Sequence, residues 1–150
     1  MWSATERLLL SIVVWCLLAG CDQAPETHPP VTTTLQLHTP CDIQRGCVAS
    51  DETLRLRIHF GSLPRALQPF PLQLRIEEGQ TPDEVSVAFS MKGMDMGQNR
   101  YRLDHHAGGD WRGNVTLPIC TSGRSDWLAD VELVFGDRRF QLQVPFVLGK

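Results

Sequence analysis

Hydrophobic and polar residues alternate with a period of two along most of the chain from Leu35 onward. In the clearest run, from Leu54 to Phe60, every second residue is apolar, which is typical of a β-strand buried on one face. Leu35 and Leu37 add a short edge strand. Six further runs repeat the alternation, over Leu72–Ile76, Val85–Met91, Tyr101–Leu103, Val115–Ile119, Trp127–Phe135 and Phe140–Phe146.

Gly136 and Asp137 separate the last two runs and predict a tight turn between antiparallel strands. Pro64, Pro69 and Pro71 are predicted to lie in one connection, where a missing N–H donor does no harm. No segment of ten or more residues carries apolar side chains at helical spacing. Seven or eight short strands with turns at near-regular spacing predict an all-β fold, an immunoglobulin-like antiparallel sandwich. An up-and-down barrel is the alternative.

The N-terminal segment does not follow this alternation. An apolar run extends from Leu8 to Leu18. It is shorter than the roughly 20 residues that a membrane-spanning helix needs, and it is typical of a secretion signal. The run ends in Leu18-Ala19-Gly20-Cys21, which resembles the lipobox of bacterial lipoproteins. The resemblance implies a signal peptide over residues 1–20 and a diacylglyceryl group on the thiol of Cys21.

Residues 21–34 are predicted to form a lipidated tether, because Asp22 to Thr34 is polar and contains three prolines. The folded domain then covers residues 35–150, a suitable size for one domain. Asp22 resembles the inner-membrane retention signal of enteric lipoproteins. We therefore expect a domain anchored in the cell envelope and facing the periplasm, with the inner membrane favoured over the outer.

Composition and motifs argue against two classes of function, nucleic-acid binding and catalysis. The formal net charge is −3 and no basic stripe with interleaved aromatic residues is present, which argues against a nucleic-acid partner. The sequence contains no Gly-x-Ser-x-Gly elbow, no His-Glu-x-x-His motif and no phosphate-binding loop. We therefore expect a protein that is not an enzyme.

The exported domain keeps three cysteines, Cys41, Cys47 and Cys120, an odd number for an oxidising compartment. The loop-entropy model predicts that a Cys41–Cys47 disulfide would stabilise the fold by about 2.4 kcal/mol and a Cys47–Cys120 disulfide by about 4.4 kcal/mol. Both bonds would be favourable, so loop entropy does not select one pairing. Proximity in sequence favours Cys41–Cys47. The remaining thiol is then either a small buried apolar group or a reactive thiol that ligates a metal or resolves a disulfide.

Met91, Met94 and Met96 fall within six positions, in a glycine-containing loop behind a predicted strand. Thioether sulfur is a soft ligand that suits Cu(I) and binds zinc, calcium or magnesium poorly. His105 and His106 follow closely and could add imidazole ligands. Alternatively, Met91 continues the apolar stripe of its strand into the core, and the other two methionines fill irregular gaps at the end of the sandwich.

Three short motifs carry a family resemblance. They are Met91-Lys92-Gly93-Met94, Gly109-Asp110-Trp111 and the segment from Gly123 to Trp127. Together they resemble the YtkA-like and FixH-like group of small periplasmic β-sandwich domains. The resemblance implies copper handling and a role in the assembly of haem-copper oxidases.

The chain departs from the pattern of that group at two places. Gln98 and Asn99 stand where the group often has a histidine, and the segment from Leu117 to Gly123 lacks the usual Phe-x-Met pair. Cys120 stands near the missing methionine. The resemblance therefore implies that this cysteine replaces it as a soft ligand, which gives a candidate metal set of Met91, Met94, Met96 and Cys120.

Two functions follow for this chain. The first is a lipid-anchored periplasmic domain that binds or delivers copper and serves haem-copper oxidase assembly. The second is a lipoprotein adaptor that binds no metal and docks on a membrane complex, with its methionines forming an apolar contact patch.

Overall fold

The computed structural model describes residues 30–94, 96, 97 and 99–148, and it confirms the all-β sandwich. Its strands, in chain order, are β1 (Val31–Thr34), β2 (Gln36–Leu37), β3 (Cys47–Ser50), β4 (Arg55–Phe60), β5 (Pro69–Glu78), β6 (Glu84–Ser90), β7 (Arg100–Arg102), β8 (Asp104–His106), β9 (Asp110–Thr116), β10 (Asp126–Phe135) and β11 (Arg138–Val147). Within the described ranges, the one helical element is a 3₁₀ turn over Ala107–Gly109.

The strands form two separate sheets, with the orders β1-β11-β10-β6-β7 and β2-β3-β4-β5-β9-β8. All neighbours are antiparallel except β1, which runs parallel to β11. The orders β4-β5-β9-β8 and β11-β10-β6-β7 reproduce the A-B-E-D and G-F-C-C′ sheets of immunoglobulin domains. The immunoglobulin-like arrangement is therefore confirmed, and the barrel alternative is wrong because the two sheets do not close on each other.

The core lies between the sheets and contains most apolar positions of the predicted runs. Ile119, which we predicted at the end of a strand, is an exception, because β9 ends at Thr116 and Ile119 is exposed beyond it. Four phenylalanines from both sheets meet there, Phe60, Phe70, Phe89 and Phe146. Ring centroids are 5.3 Å apart for Phe60 and Phe146 and 5.8 Å apart for Phe70 and Phe89. Aromatic pairs at these separations add to the free energy of burial.

The phenylalanine cluster also identifies the two ends of the sandwich. Its members come from the ends of β4, β6 and β11 and the start of β5, so the loops after β2, β4, β6 and β9 gather at the same end, here called the distal end. At the opposite, proximal end, Val31 pairs with Arg138 beside the two-residue turn between β10 and β11. The chain therefore enters the fold about 30 Å from the distal end, the length of β11.

A charged cluster lies near the proximal end, at the start of β9. The Asp110 carboxylate, whose side chain is 5% exposed, accepts hydrogen bonds from Arg75 Nε at 2.6 Å and Arg112 Nη2 at 2.7 Å. These bonds, chiefly those from Arg75, hold the pKa of Asp110 well below its usual range and raise the pKa of Arg75. The cluster joins β5 to β9 across the outer face of the sheet.

The sandwich has more strands than the seven or eight that we predicted. The additional ones are β1, β3 and β8, which are short; β1 and β8 are largely exposed and so carry no alternation of apolar residues. β1 also corrects the predicted tether boundary, because Val31–Thr34 belong to a sheet through backbone pairing with β11. Backbone pairing of this kind leaves no trace in the side-chain pattern.

The signal peptide over residues 1–20, lipid attachment at Cys21 and the tether up to Pro29 lie outside the described residues. These assignments stay predictions. Within the described part of the chain, no helix has the length and apolar character needed to cross a bilayer.

Candidate functional site

β6 ends at the candidate site and leads directly into the methionines. Val85, Val87 and Phe89 face the core, and Met91 continues this stripe, with 2% of its surface exposed. The interpretation of Met91 as a core residue is confirmed. Its side chain is therefore enclosed by the core at the distal end of β6.

A tight turn folds the chain back after Met91. The Met94 N–H donates to the Met91 carbonyl at 3.0 Å, and the two residues form an antiparallel bridge. Gly93 occupies the turn with φ +74, a conformation that glycine adopts without strain. Directly opposed residues of such a bridge project their side chains to the same face, with Cβ atoms about 5 Å apart. The turn therefore brings Met91 and Met94 together, and Met94 is half-buried above the core.

Asn99 holds the other side of the methionine loop. Its Oδ1 accepts the Phe89 N–H at 2.6 Å, and its Nδ2 donates to the Phe89 carbonyl at 2.9 Å and to the Met96 carbonyl at 3.3 Å. Backbone pairing between β6 and β7 stops at Ala88, and the Asn99 carboxamide takes the place of a strand partner for the next residue, Phe89. It also fixes the backbone of Met96, whose side chain is half-buried against the core. Sequence reasoning treated Asn99 only as a missing histidine and did not find this role.

The loop between β9 and β10 contributes a free thiol. Cys120 is half-buried and unbonded to another cysteine, because Cys41 and Cys47 form a disulfide, as predicted. Its sulfur lies 3.0 Å from Ser122 Oγ. This hydrogen bond, with smaller contributions from backbone N–H groups and the positive charge of Arg124, lowers the pKa of the Cys120 thiol. A lowered pKa increases the fraction of thiolate, which is the form that binds metals.

Arg124 joins the thiol loop to the methionine turn. Its Nη1 donates to the Lys92 carbonyl at 3.0 Å, and its Nε donates to Asp126 Oδ1 at 2.9 Å. The carboxylate of Asp126 therefore fixes a guanidinium that joins the loop between β9 and β10 to the turn after β6. One of these loops contains Met94 and the other contains Cys120.

The two histidines do not belong to this site. His105 and His106 lie on β8, where His106 pairs with Asp110 at the start of β9. Thr116, at the distal end of β9, lies about 20 Å further along the strand. The two histidines therefore do not add imidazole ligands to the methionines, because β8 runs along the proximal half of β9. The His105 ring instead packs on Trp111, with centroids 4.8 Å apart.

The loops at the distal end carry soft donor atoms. They are the thioethers of Met94 and Met96 and the thiol of Cys120, all half-buried, and the thioether of Met91, which is buried in the core. No group of three or more His, Cys, Asp or Glu side chains suited to a metal occurs in the described ranges. Sulfur donors of this kind fit Cu(I) far better than hard cations, which require oxygen ligands.

Comparison with family models, characterised proteins and solved structures found no match to this chain. Membership of the YtkA-like and FixH-like group therefore stays a prediction. Functional assignment depends on the chemistry of the distal end itself.

Proposed function

We propose that this protein is a lipid-anchored periplasmic domain that binds Cu(I) at its distal end and delivers it to a membrane-bound acceptor, such as a haem-copper oxidase during assembly. The observation that carries the proposal is the bridge from Arg124 to the Lys92 carbonyl. It joins the loop of the free thiol to the turn of the methionines, so that soft donors from two loops share one end of the fold.

The residues divide into ligands and support. Met94, Met96 and Cys120 are half-buried, so they are the groups that would hold the ion and release it to an acceptor. Cu(I) bound there supplies a transferable soft cation. Met91 is enclosed by the core and supports Met94 from below. Partial exposure suits transfer, because an acceptor can reach a ligand only where the carrier leaves it accessible.

Cu(I) titration of the mature lipoprotein in detergent, in competition with a chromophoric Cu(I) chelator, tests the proposal. We expect one equivalent to bind and the paired change Met94→Ile and Met96→Ile to abolish competition. Met91→Leu is the matched control, since it conserves volume at a buried position and leaves the accessible donors intact. Absence of competition, or competition unaffected by the paired change, would overturn the copper assignment.

The adaptor function is favoured by a different observation. Four of the five large apolar side chains that are exposed in the described residues lie at the distal end: Leu63, Leu67, Ile119 and Val147. An exposed apolar cluster is typical of a contact surface. A protein that binds no Cu(I), but keeps this surface, would be an adaptor.

A further inference from the structure

Two neighbouring loops expose large apolar side chains at the distal end. Leu63 and Leu67, in the loop after β4, are 56% and 61% exposed, and Ile119, in the loop after β9, is 55% exposed. The Leu67 N–H donates to the Leu117 carbonyl at 3.0 Å, which joins the two loops. We call Leu63, Leu67 and Ile119 the distal apolar patch.

The backbone of Leu67 is held in an unfavourable conformation. Its φ is +58, in the left-handed region, and it is the one such residue other than glycine in the described ranges. A bulky side chain is rarely found there. The loop nevertheless keeps this leucine exposed, with the Gln68 N–H donating to the Arg65 carbonyl at 3.2 Å and Pro64 buried behind it. Strain of this kind concentrates at functional segments.

Charge differs between the two ends of the sandwich. At the distal end, the cations Arg65 and Lys92 form no ion pair with any described residue. At the proximal end, five acidic residues form no ion pair within the described ranges, against one unpaired cation, Arg138. These acidic residues are Asp51, Glu52, Glu78, Asp83 and Asp137. The unpaired charges of the described residues therefore favour approach of the distal end, rather than the proximal end, to an anionic surface.

The length of chain that precedes the fold permits contact between the distal end and a bilayer. From Cys21 to Val31 there are ten residue steps, which span at most about 34 Å. Val31 lies about 30 Å from the distal end, since β11 spans this length. A chain anchored at Cys21 can therefore run alongside the body while the distal end rests on the lipid.

We propose that the distal apolar patch docks on the anionic lipid surface in which the protein is anchored. The inference rests on the lipid anchor of the proposed function. Leu63, Leu67 and Ile119 enter the headgroup region, and Arg65 and Lys92 meet lipid phosphates. The soft donors of the methionine and thiol loops then face the plane of the membrane, where an embedded acceptor would receive the ion.

Tryptophan quenching tests this orientation. The mature lipoprotein carrying Leu67→Trp is reconstituted in vesicles of phosphatidylglycerol and phosphatidylcholine with brominated acyl chains. Val31→Trp is the matched control, because Val31 is equally an exposed apolar residue but lies at the proximal end. Native Trp111 and Trp127 are 5% and 2% exposed, so they contribute an unquenched background.

We expect the added tryptophan at position 67 to be quenched strongly and the one at position 31 to be quenched little, and we expect the difference between them to shrink at high salt. Leu63→Trp repeats the measurement at a residue with ordinary φ. Stronger quenching at position 31, or none at either position, overturns the proposal; the second result is the one expected if the patch docks on a protein. Mass spectrometry of the same sample reports acylation at Cys21, and Cu(I) titration reports the metal site, so failures of the anchor and of copper binding are distinguished from failure of docking.

Discussion

Replacement of Asn99 by alanine is the sharpest test of how the methionine loop is built. The change removes the acceptor of the Phe89 N–H and the donor to the Phe89 carbonyl, at 2.6 and 2.9 Å, together with the longer bond to Met96. Phe89 is 1% exposed, so its freed backbone groups lie next to a closed core. β7 pairs with β6 only at Ser86–Ala88 and offers no substitute.

The magnitude follows from the number of lost bonds. Each of the two short bonds contributes about 1 kcal/mol net, and groups left without partners near the core add to the loss. We expect Asn99→Ala to lower the free energy of unfolding by about 2–3 kcal/mol. For a domain of this size, each kcal/mol lowers Tm by roughly 3–5 °C, so Tm falls by about 10 °C.

Urea denaturation and thermal melts followed by circular dichroism measure both quantities. Asn114→Ala is the matched control, because Asn114 is exposed on β9 and its side chain forms no hydrogen bond with a described residue, so a change within about 0.5 kcal/mol is expected. Asn99→Asp keeps the acceptor, loses the donor and places a charge beside carbonyl oxygens, so it should destabilise comparably. A loss below about 0.5 kcal/mol for Asn99→Ala would refute the reasoning.

Three further outcomes follow from the structure. Asp110→Asn should lower the free energy of unfolding, measured by urea titration at pH 7, by about 2 kcal/mol. Folding lowers the pKa of Asp110, so its carboxylate contributes fully to the free energy of unfolding above the unfolded-state pKa of about 3.9, and this contribution is lost as the pH falls below that value. The difference in free energy of unfolding between variant and wild type should therefore narrow in acid, and a difference that does not change with pH would contradict this. Ser122→Ala should let the pKa of the Cys120 thiol rise toward its ordinary value, so iodoacetamide should alkylate the variant more slowly than the wild type at pH 7 but not at high pH. Equal alkylation rates for variant and wild type at pH 7 would exclude the hydrogen bond from Ser122 as the cause of the lowered pKa. Leu67→Gly should raise the free energy of unfolding by up to about 1 kcal/mol, since it relieves a positive φ at an exposed position; a clear loss would show that the leucine stabilises the fold.

Burial on one face made most strands predictable from the sequence. The runs that became β4, β6, β10 and β11 alternate because one face of each contacts the core, and the two-residue turn at Gly136-Asp137 is confirmed. Pro69 and Pro71, which we placed in a connection, lie in β5 instead. Proline is tolerated at both positions because β4 ends at Phe60, which is paired with Leu72. On the side of β5 that faces β4, the backbone N–H that each proline lacks is therefore not needed for a ladder hydrogen bond.

The candidate site was only partly predictable. Proximity in sequence correctly paired Cys41 with Cys47, since a short loop closes easily. The same reasoning failed for His105, because β8 carries it away from the methionines. The role of Asn99 could not be found, because its hydrogen bonds depend on register between strands rather than on a local motif.

The proposed function depends on sulfur from Met94, Met96 and Cys120 holding Cu(I) at the distal end. X-ray absorption at the copper edge of the Cu(I)-loaded mature lipoprotein tests this directly, because it reports the ligand atoms themselves. We predict a shell of sulfur alone that disappears with Met94→Ile and Met96→Ile and loses one sulfur with Cys120→Ser. A shell dominated by nitrogen or oxygen, or failure of the protein to retain the ion, would contradict it.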